Sequence, residues 1–383
     1  MAGDLQNSES QPPRAFPHRM LREIYEQPYA LRETILRNVA GGHIFLDRLQ
    51  SLESALAGFK KVVIVASGSS RNAGLAGEIL IEDLAGVPVD VEYSSEYCFR
   101  PTHAGADAIV VVITQSGETA DTIAAQREAL RRGARTLAIS NVPDSTIAQE
   151  ATAAIMTYAG PERAIPATKS FTAQLTILYL FALFLANRLG RMKSGAIRSH
   201  LRHLADIPVE MERRLGAWDA QAAGAARAMQ NAKAFLFLGR GIHYAIAREG
   251  ALKLKETSYV EAEGMPAGEL RHGPSALVDG NLPVVMLAAH DPEDPDSVLR
   301  YQKTLGVLEY VKSRKGRAVG IASDGDREIL SLSDRALFVP PASELLLPIL
   351  EVVPLQLFAY HFGVLNGCDV DHPRNLVKAV ITE

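Results

Sequence analysis

The stretch that decides the fold is Thr114-Gln115-Ser116-Gly117-Glu118-Thr119, which directly follows the apolar run AIVVVI at 108–113. A β-branched run of this length predicts a buried strand, and the segment from residue 120 predicts a helix. The hydroxyl-rich loop between them then lies at a helix N-terminus, where free N–H groups and the helix dipole bind anions. Its neutral donors suit a phosphorylated ligand with hydroxyl groups, such as a sugar phosphate. The alternative is that these Ser and Thr residues only cap the helix.

The same order of strand, loop and helix recurs along most of the chain. Residues 51–192 contain predicted strands at 62–66, 88–93, 109–113, 135–140 and 155–157, with helices over 72–84 and from Thr119. Residues 226–368 contain predicted strands at 234–238, 283–288, 317–321 and 336–339, and a helix over 244–259. The loops Ser67-Gly68-Ser69-Ser70 and Gly239-Arg240-Gly241 lie about 170 residues apart at equivalent places. We therefore predict an α/β fold with two tandem, doubly wound parallel-sheet domains related by internal duplication.

The remaining segments are predicted to be helical or terminal. We expect a disordered tail over residues 1–18, N-terminal helices over 19–50 with one helix at 20–39, and a helical linker over 193–225. The longest apolar run, 175–186, is too short to span a bilayer and predicts a buried helix, placed at a subunit interface. Residues 369–383 are predicted to form an ordered C-terminal tail.

The composition limits the class of protein. The chain has 383 residues, of which 47% are hydrophobic and 22% charged, as in soluble globular proteins. A net charge of −4 gives no indication of nucleic-acid binding, so loops and helix ends have to hold a phosphate. Cys98 and Cys368 form neither a disulfide framework nor a zinc pattern, which fits a reducing cytoplasm. We expect no signal peptide, membrane span, metal or cofactor.

The second glycine loop does not fit a dinucleotide-binding motif. Gly239-Arg240-Gly241 resembles the start of the dinucleotide fingerprint, which needs another glycine three positions on. Tyr244 stands there instead. We therefore expect no dinucleotide.

Three features of the second half could carry chemistry. Glu249, Lys253 and Glu256 fall at i, i+4 and i+7 on one helix face, where a solvated salt-bridge ladder is the alternative. His272, between an arginine and Gly-Pro, sits in a rigid turn and could be structural or catalytic. The C-terminal tail could deliver Lys378 into a site, because a lysine with a lowered pKa can form a Schiff base with a carbonyl substrate.

Several longer motifs together resemble the sugar isomerase (SIS) superfamily, and within it the isomerase half of glucosamine-6-phosphate synthases. The matching segments are EIYEQP at 23–28, SGETADT at 116–122, ATKSFT at 167–172, LGRG at 238–241, EGALKLKE at 249–256, GELRHGP at 268–274 and PRNL at 373–376. They occur in one order over nearly the whole chain, which makes the signal specific.

The resemblance implies roles for individual residues. Glu256 would move the proton between C1 and C2 of the sugar, with Lys253 supporting it electrostatically. His272 would open the sugar ring in a neighbouring subunit's site, which implies a homodimer with shared active sites. Lys378 would assist ring opening or form an imine. The phosphate and sugar would be bound by Ser69, Ser70, Thr114, Gln115, Ser116, Thr119, Ile165, Ala167 and Val377.

Two departures from the synthase pattern affect the expected function. Position 2 is Ala, where a glutaminase domain would begin with its nucleophilic cysteine, and Ala167 replaces the usual Ser before Thr-Lys. The first departure favours ammonia release, so we expect a SIS-type glucosamine-6-phosphate deaminase that forms fructose 6-phosphate and ammonia. The second puts the identity of the sugar in doubt.

Three alternatives remain open. The chain could be a synthase-type isomerase that uses external ammonia or a separate glutaminase. It could be another phosphosugar isomerase or a deglycase. It could also be a sugar-phosphate sensor without enzyme activity.

Overall fold

The computed structural model describes residues 15–46, 49–52, 58–101 and 104–381. It contains two five-stranded parallel β-sheets with helices on both faces, an N-terminal helical segment and an ordered C-terminal tail. The predicted α/β fold with two tandem, doubly wound domains is confirmed.

The N-terminal segment contains two helices, a short antiparallel hairpin and a turn of 3₁₀ helix: α1 (Arg19–Tyr25), α2 (Gln27–Asn38), β1 (Val39–Ala40), β2 (His43–Ile44) and Leu49–Leu52. The single helix predicted over 20–39 is wrong, because the chain breaks at Glu26. Pro28 lacks an N–H donor and lies in the first turn of α2, the part of a helix that tolerates proline.

The predicted disordered segment 1–18 falls mainly outside the described residues. Its last four residues are described, and two of them contact the body. The Phe16 ring lies 5.0 Å from the Tyr25 ring, centroid to centroid. His18 Nδ1 is 2.9 Å from the Tyr360 hydroxyl. The ordered chain therefore begins before α1.

The first half alternates strands and helices and ends in a long apolar helix. Its elements are β3 (Lys61–Ala66), α3 (Gly68–Ala85), β4 (Val89–Tyr93), α4 (Ser94–Tyr97), β5 (Ala108–Ile113), α5 (Ala120–Arg131), β6 (Arg135–Ser140), α6 (Thr146–Glu150), β7 (Ala153–Met156) and α7 (Lys169–Arg188). A 35-residue helix, α8 (Ser194–Ala228), leads to the second half.

The second half repeats the pattern. Its elements are β8 (Ala234–Gly239), α9 (His243–Ser258), β9 (Glu261–Pro266), 3₁₀ turns at Ala267–Arg271 and Pro274–Leu277, β10 (Val284–Leu287), α10 (Pro295–Ser313), β11 (Ala318–Ser323), α11 (Arg327–Leu332), β12 (Arg335–Val339) and α12 (Leu347–Leu365).

The strand orders reveal the duplication. The first sheet runs β4-β3-β5-β6-β7, and the second runs β9-β8-β10-β11-β12. Numbered within each half, both are 2-1-3-4-5 and all neighbours are parallel. This doubly wound order reverses direction beside the first strand, where such folds bind ligands.

Both faces of each sheet are buried, which explains the continuous apolar runs. Along β5, Ile109 and Val111 face a core shared by the two halves, and Val110 and Val112 face a separate cluster under α5 and α6. A third cluster lies under α10 and α11, on the outer face of the second sheet. The inner faces of the two sheets thus share one core.

Helices α7 and α12 form much of that core. Both are long and apolar enough to cross a membrane, with mean hydropathies of 1.5 and 1.4, but 89% of each apolar window is buried inside the protein. Leu178 of α7 packs so closely on α3 that a Cβ at Gly77 would lie 2.9 Å from it. The predicted place of residues 175–186 at a subunit interface is therefore wrong, because this chain itself covers that helix.

Strand β9 was missing from the predicted second sheet. Its sequence, EAEGMP, contains residue types that are rare in strands. It is an edge strand, where the missing N–H of Pro266 is tolerated. Gly264 is required by packing, since a Cβ there would lie 2.4 Å from the Arg248 Cα.

The C-terminal tail is ordered because its backbone and side chains are tied to the body. The Asp371 carboxylate accepts hydrogen bonds from the backbone N–H groups of Arg19 (2.9 Å) and Met20 (2.8 Å), and so caps α1. The Asp371 carbonyl accepts from Ile165 N–H at 3.0 Å. Further along, the Val380 carbonyl accepts from Ala120 N–H at 2.9 Å. These bonds lead the tail across the carboxyl end of the first sheet.

Candidate active site

A cavity of about 180 Å³ opens at the carboxyl end of the first sheet. It lies where the strand order reverses between β3 and β5. The loops after β3 and β5, the segment before α7, helix α9 and the tail supply its walls. The lining residues are Ser67, Ser69, Ser70, Ile113, Thr114, Gln115, Ser116, Thr119, Thr122, Ile165, Ala167, Lys253, Glu256, Leu376, Val377 and Lys378. The structure thus brings together every predicted site residue except His272.

The loop after β5 is held in a fixed shape by its own side chains. Thr114 Oγ1 accepts a hydrogen bond from Gly117 N–H at 3.0 Å, and Ser116 Oγ accepts from Glu118 N–H at 3.2 Å. Gly117 has a φ of +74°, and a Cβ there would lie 2.0 Å from the Ser145 Oγ. Only glycine fits this position.

Thr119 occupies the N-cap position of α5, but its side chain makes no capping hydrogen bond. Ala120 N–H, in the first turn, is taken by the tail carbonyl of Val380. The Thr119 side chain lines the cavity instead. Capping alone therefore does not account for this hydroxyl, which is available to a ligand.

The loop after β3 links the two halves. The Ser69 hydroxyl donates to Glu249 Oε1 at 2.8 Å, and Asn72 Nδ2 donates to Glu249 Oε2 at 2.9 Å. The Ser70 hydroxyl accepts from Gln174 Nε2 at 3.0 Å. Ser69 therefore helps to hold helix α9 as well as lining the cavity.

Glu249, Lys253 and Glu256 do not form a solvated ladder. The Glu249 side chain is fully buried, Lys253 is 1% exposed and Glu256 is 20% exposed. Lys253 Nζ donates a short hydrogen bond to Glu256 Oε2 and lies 3.6 Å from Glu249 Oε1. This face of α9 packs against α3 of the first half, which excludes water from it.

Burial and neighbouring charges together set the pKa values of Glu249 and Lys253. It raises the pKa of Glu249 to about 7, against the opposing effects of Lys253 and of the hydrogen bond from Asn72. Burial alone would lower the pKa of Lys253, but the carboxylates of Glu256 and Glu249 outweigh it and raise that pKa. Lys253 is therefore an ammonium at neutral pH, an electrostatic partner and not a proton acceptor.

Lys378 reaches the cavity from the tail. Its Nζ donates to Glu162 Oε2 at 2.6 Å, and the Glu162 side chain is fully buried. Glu162 also accepts from the N–H groups of Thr168 (2.9 Å) and Ser170 (3.1 Å) and from the Ser170 hydroxyl (2.7 Å). Burial would raise the pKa of Glu162, but the Lys378 charge and these hydrogen bonds lower it. Glu162 is therefore an ionised anchor for Lys378.

Sequence reasoning missed Glu162 because nothing local marks it. Its partner Lys378 lies 216 residues further along the chain. The available signal was weak: Glu162 is an acidic residue five positions before Ala167, where the Ala167-Thr168-Lys169 motif begins. Asn72, which also holds Glu249, was missed for the same reason.

His272 lies outside the cavity and is exposed. It directly follows the 3₁₀ turn Ala267–Arg271, its N–H donates to the Glu269 carbonyl at 2.9 Å, and Gly273 after it has a φ of +133°. The predicted rigid turn is present. The chain itself does not bring His272 to Glu256, so its predicted action in a neighbouring subunit stays a prediction.

The equivalent end of the second sheet is filled by buried charged side chains. His243 at the start of α9 lies 2.7 Å from Glu351 and 3.3 Å from Glu344, and Arg300 Nε donates to Glu344 at 2.9 Å. Burial would lower the pKa of His243, but these carboxylates raise it to about 10. An ion network thus occupies the position between β8 and β10 that corresponds to the cavity of the first half.

No group of three or more His, Cys, Asp or Glu side chains among the described residues is arranged to hold a metal ion.

A hydroxyl-rich loop at a helix N-terminus, a buried Glu-Lys-Glu helix face and a duplicated doubly wound fold together define a two-domain α/β protein with a candidate active site at its first sheet. The chain belongs to the SIS (sugar isomerase) domain family. The SIS domain model matches residues 55–184 and again residues 228–365, in agreement with the two sheets.

Curated relatives of this chain are isomerizing glutamine–fructose-6-phosphate aminotransferases. The protein from Chlorobaculum tepidum is 44% identical over 378 residues, covering 96% of this chain and 59% of the relative. The protein from Gloeobacter violaceus is 43% identical, covering 97% of this chain and 59% of the relative. The chain therefore spans about three fifths of the length of these relatives.

Solved structures agree with this assignment. The C-terminal domain of glucosamine-fructose-6-phosphate aminotransferase from Francisella tularensis is 36% identical, with a TM-score of 0.87, covering 95% of this chain and 100% of that one. Glucosamine-6-phosphate deaminase from Thermotoga maritima is 21% identical, with a TM-score of 0.69, covering 94% of this chain and 99% of that one. The second likeness concerns the fold alone.

Proposed function

We propose that this chain is a SIS-type glucosamine-6-phosphate deaminase, which converts glucosamine 6-phosphate to fructose 6-phosphate and ammonia. The observation that carries the proposal is the position of Glu256. Its carboxylate lines the same cavity as the hydroxyl-rich loop after β5, beside the ammonium of Lys253. A carboxylate and a phosphate site in one small cavity suit proton transfer within a phosphosugar.

The phosphate would be bound by the loop hydroxyls and free N–H groups at the start of α5, with Ser116 and Thr119 facing the cavity. This binding places the sugar chain toward α9. Glu256 then takes the C2 proton of the open-chain sugar, giving an enolamine. The same carboxylate returns the proton to C1, the C1 oxygen gains a proton, and C2 becomes a ketimine. Water hydrolyses the ketimine to the ketone and ammonia.

Lys253 and Lys378 would contribute charge at two points of the cavity. Lys253, buried between two carboxylates, keeps Glu256 oriented. Lys378 lies on the cavity wall through its ion pair with Glu162 and would assist ring opening or form an imine with the ketose. No cysteine lines the cavity, so the site itself offers no thiol for glutamine hydrolysis.

A second candidate is aminotransfer in the opposite direction, with ammonia supplied from glutamine. The curated aminotransferase relatives favour it. Ala167 lines the sugar end of the cavity and offers no hydroxyl there, which distinguishes this site from one with serine at the same position. An Ala167→Ser variant tests whether this position sets the choice of sugar.

The first experiment measures ammonia release from glucosamine 6-phosphate in D₂O. We expect turnover by the wild type, with deuterium at C1 of the fructose 6-phosphate to the extent that the proton held by Glu256 exchanges with solvent before it is returned. Glu256→Gln should lose 10²–10⁴-fold in rate, the usual contribution of a general base. Glu309→Gln, which changes an exposed carboxylate on α10, should behave as wild type. Equal activity of the Glu256→Gln variant contradicts the mechanism, whereas C1 without deuterium shows only that the carboxylate returned the substrate's own C2 proton before it exchanged with solvent.

We also propose a homodimer in which His272 acts in the partner's site. Its exposed position away from the cavity of its own chain supports this arrangement. Glu256→Gln and His272→Ala are each expected to be inactive. Co-expressed at equal levels, half of the dimers are mixed, and each mixed dimer has one intact site, so about a quarter of wild-type activity should return. If His272 acts within its own chain, none returns.

We place the enzyme in the cytoplasm, where reduced thiols are kept. Cys98 and Cys368 are not joined in a disulfide.

A further inference from the structure

A second cavity, of about 320 Å³, lies between the two halves. Its walls come from the start of α3, the end of β4, helix α9 and strand β9. Asn72 is part of its wall and also donates to Glu249 of the catalytic helix. The second cavity and the candidate active site share no lining residue, and the proposed reaction does not use the second one.

The charge of this cavity is positive. Three cations, Arg71, Arg248 and Lys255, and one carboxylate, Glu263, line it, a formal charge of +2. Lys255 is partly exposed and pairs with Glu261 at 2.9 Å. The two arginines are half-buried, and neither forms an ion pair with any carboxylate in the described part of the chain.

Tyrosines hold the two guanidinium groups in place. The Arg71 guanidinium lies 3.7 Å from the centroid of the Tyr93 ring. Arg248 donates to the hydroxyls of Tyr93 (3.2 Å) and Tyr244 (3.1 Å). A tyrosine hydroxyl orients an arginine but does not neutralise it, and neither guanidinium lies within ion-pair distance of a carboxylate among the described residues.

Donor groups of both arginines also remain unsatisfied. The Nε atom of Arg71 and that of Arg248 are buried, and neither has a hydrogen-bond partner among the described residues. Burial lowers the pKa of Arg71, and the neighbouring Arg248 charge lowers it further. An unpaired donor and a like-charge pair are both costly in a partly buried site, and an anion between them would relieve both.

We propose that this cavity is a binding site for a phosphate-bearing small molecule, distinct from the candidate active site. Two guanidinium groups and an ammonium around one space match a phosphate dianion better than a singly charged carboxylate. The cavity, larger than the one at the first sheet, has room for the body of a phosphate ester beside the phosphate itself. Tyr93 and Leu252 would contact that body.

The test must separate this site from the phosphate loop after β5. A Ser116→Ala/Thr119→Val variant weakens that loop and leaves the second cavity intact. In this background, calorimetric titrations use inorganic phosphate and fructose 6-phosphate as probes. We expect one site per chain to remain for both, and Arg248→Leu or Arg71→Leu to weaken it at least tenfold, the effect of losing one charge-assisted hydrogen bond or more.

Two further variants keep the result interpretable. Arg213→Leu, which removes an exposed arginine of α8 paired with Glu210, should leave binding unchanged. Arg248→Lys retains the charge but loses the planar fork, and should bind with intermediate affinity even if Arg248→Leu fails to fold.

The proposal is overturned if the loop variant binds neither probe, or if the arginine variants bind them as well as their parent. It is also overturned if Arg71→Leu and Arg248→Leu turn a dimer into a monomer in light scattering without changing phosphate affinity. The cavity would then be part of an interface with a second copy of the chain. None of these results depends on turnover of glucosamine 6-phosphate.

Discussion

Replacing Glu162 by Gln should release the C-terminal tail that carries Lys378 without disturbing either sheet. The pair it breaks joins a buried carboxylate to Lys378 Nζ at 2.6 Å, and the lysine side chain is 24% exposed. At an effective dielectric constant of 20, this attraction is about 6 kcal/mol. The change also removes the cost of burying the Glu162 charge, so we expect a net loss of about 2–3 kcal/mol in tail docking.

That loss corresponds to a shift of roughly 30- to 160-fold toward the undocked tail. Hydrogen exchange can report it at two points. Ala120 N–H is protected by the Val380 carbonyl beyond Lys378, and Ile165 N–H by the Asp371 carbonyl before it. The Glu162→Gln variant should exchange much faster in the peptide containing Ala120, with little change in the peptide containing Ile165.

Ser170→Ala is the matched control. It removes one hydrogen bond of 2.7 Å to Glu162 but leaves both charges, so the Ala120 peptide should change only a few-fold. Unchanged exchange of that peptide in Glu162→Gln would refute the role of the ion pair. Equal acceleration of both peptides would show that the whole tail detaches, and that Asp371 is not an independent anchor.

Three other predictions concern stability and the phosphate loop. Because burial raises the pKa of Glu249 from 4.5 to about 7, deprotonation penalises the folded state, and stability should fall by about 3 kcal/mol as pH rises from 4.5 to 7. Urea unfolding across that range should show this slope in the wild type and lose it in Glu249→Gln. His243 has the opposite sign: its pKa is raised to about 10, so its contribution is complete below pH 6.5 and lost as pH rises through 10. Thermal unfolding should show an alkaline loss that is smaller in His243→Gln. Gly117→Ala should cost about 2–3 kcal/mol and weaken phosphate binding, because φ is +74° and the new Cβ meets Ser145. Gly133→Ala, with φ of +85° and open space around it, should cost only about 1 kcal/mol and leave phosphate binding unchanged.

The parts of the fold that sequence predicted best are those buried on two faces. Strands β3 and β5 are continuous β-branched runs because helices cover both sides of the sheet. The duplication was visible because the glycine loops after β3 and β8 occupy equivalent places. Strand β9 was not predictable, because an edge strand needs no continuous apolar run. Its Gly264 is required by the close approach of the Arg248 backbone, which is distant in sequence.

The candidate site likewise has some features that the sequence predicted and others that it did not. The loop after β5 and the spacing of Glu249, Lys253 and Glu256 are local patterns, and both were read from the sequence. Burial of that helix face was not local, because it depends on Ser69 and Asn72 of the other half. Glu162 likewise acquires its role only when the chain end folds back onto it. Local sequence patterns thus predicted residues that line the cavity. The contacts that hold these residues in place are long-range and were not predicted.

Because Asp371 of the tail caps α1, this residue ties the two ends of the described chain together. The carboxylate that receives the N–H groups of Arg19 and Met20 belongs to the residue seven positions before Lys378. The start of α1 and the tail segment that brings Lys378 to the cavity therefore share one anchoring residue, Asp371.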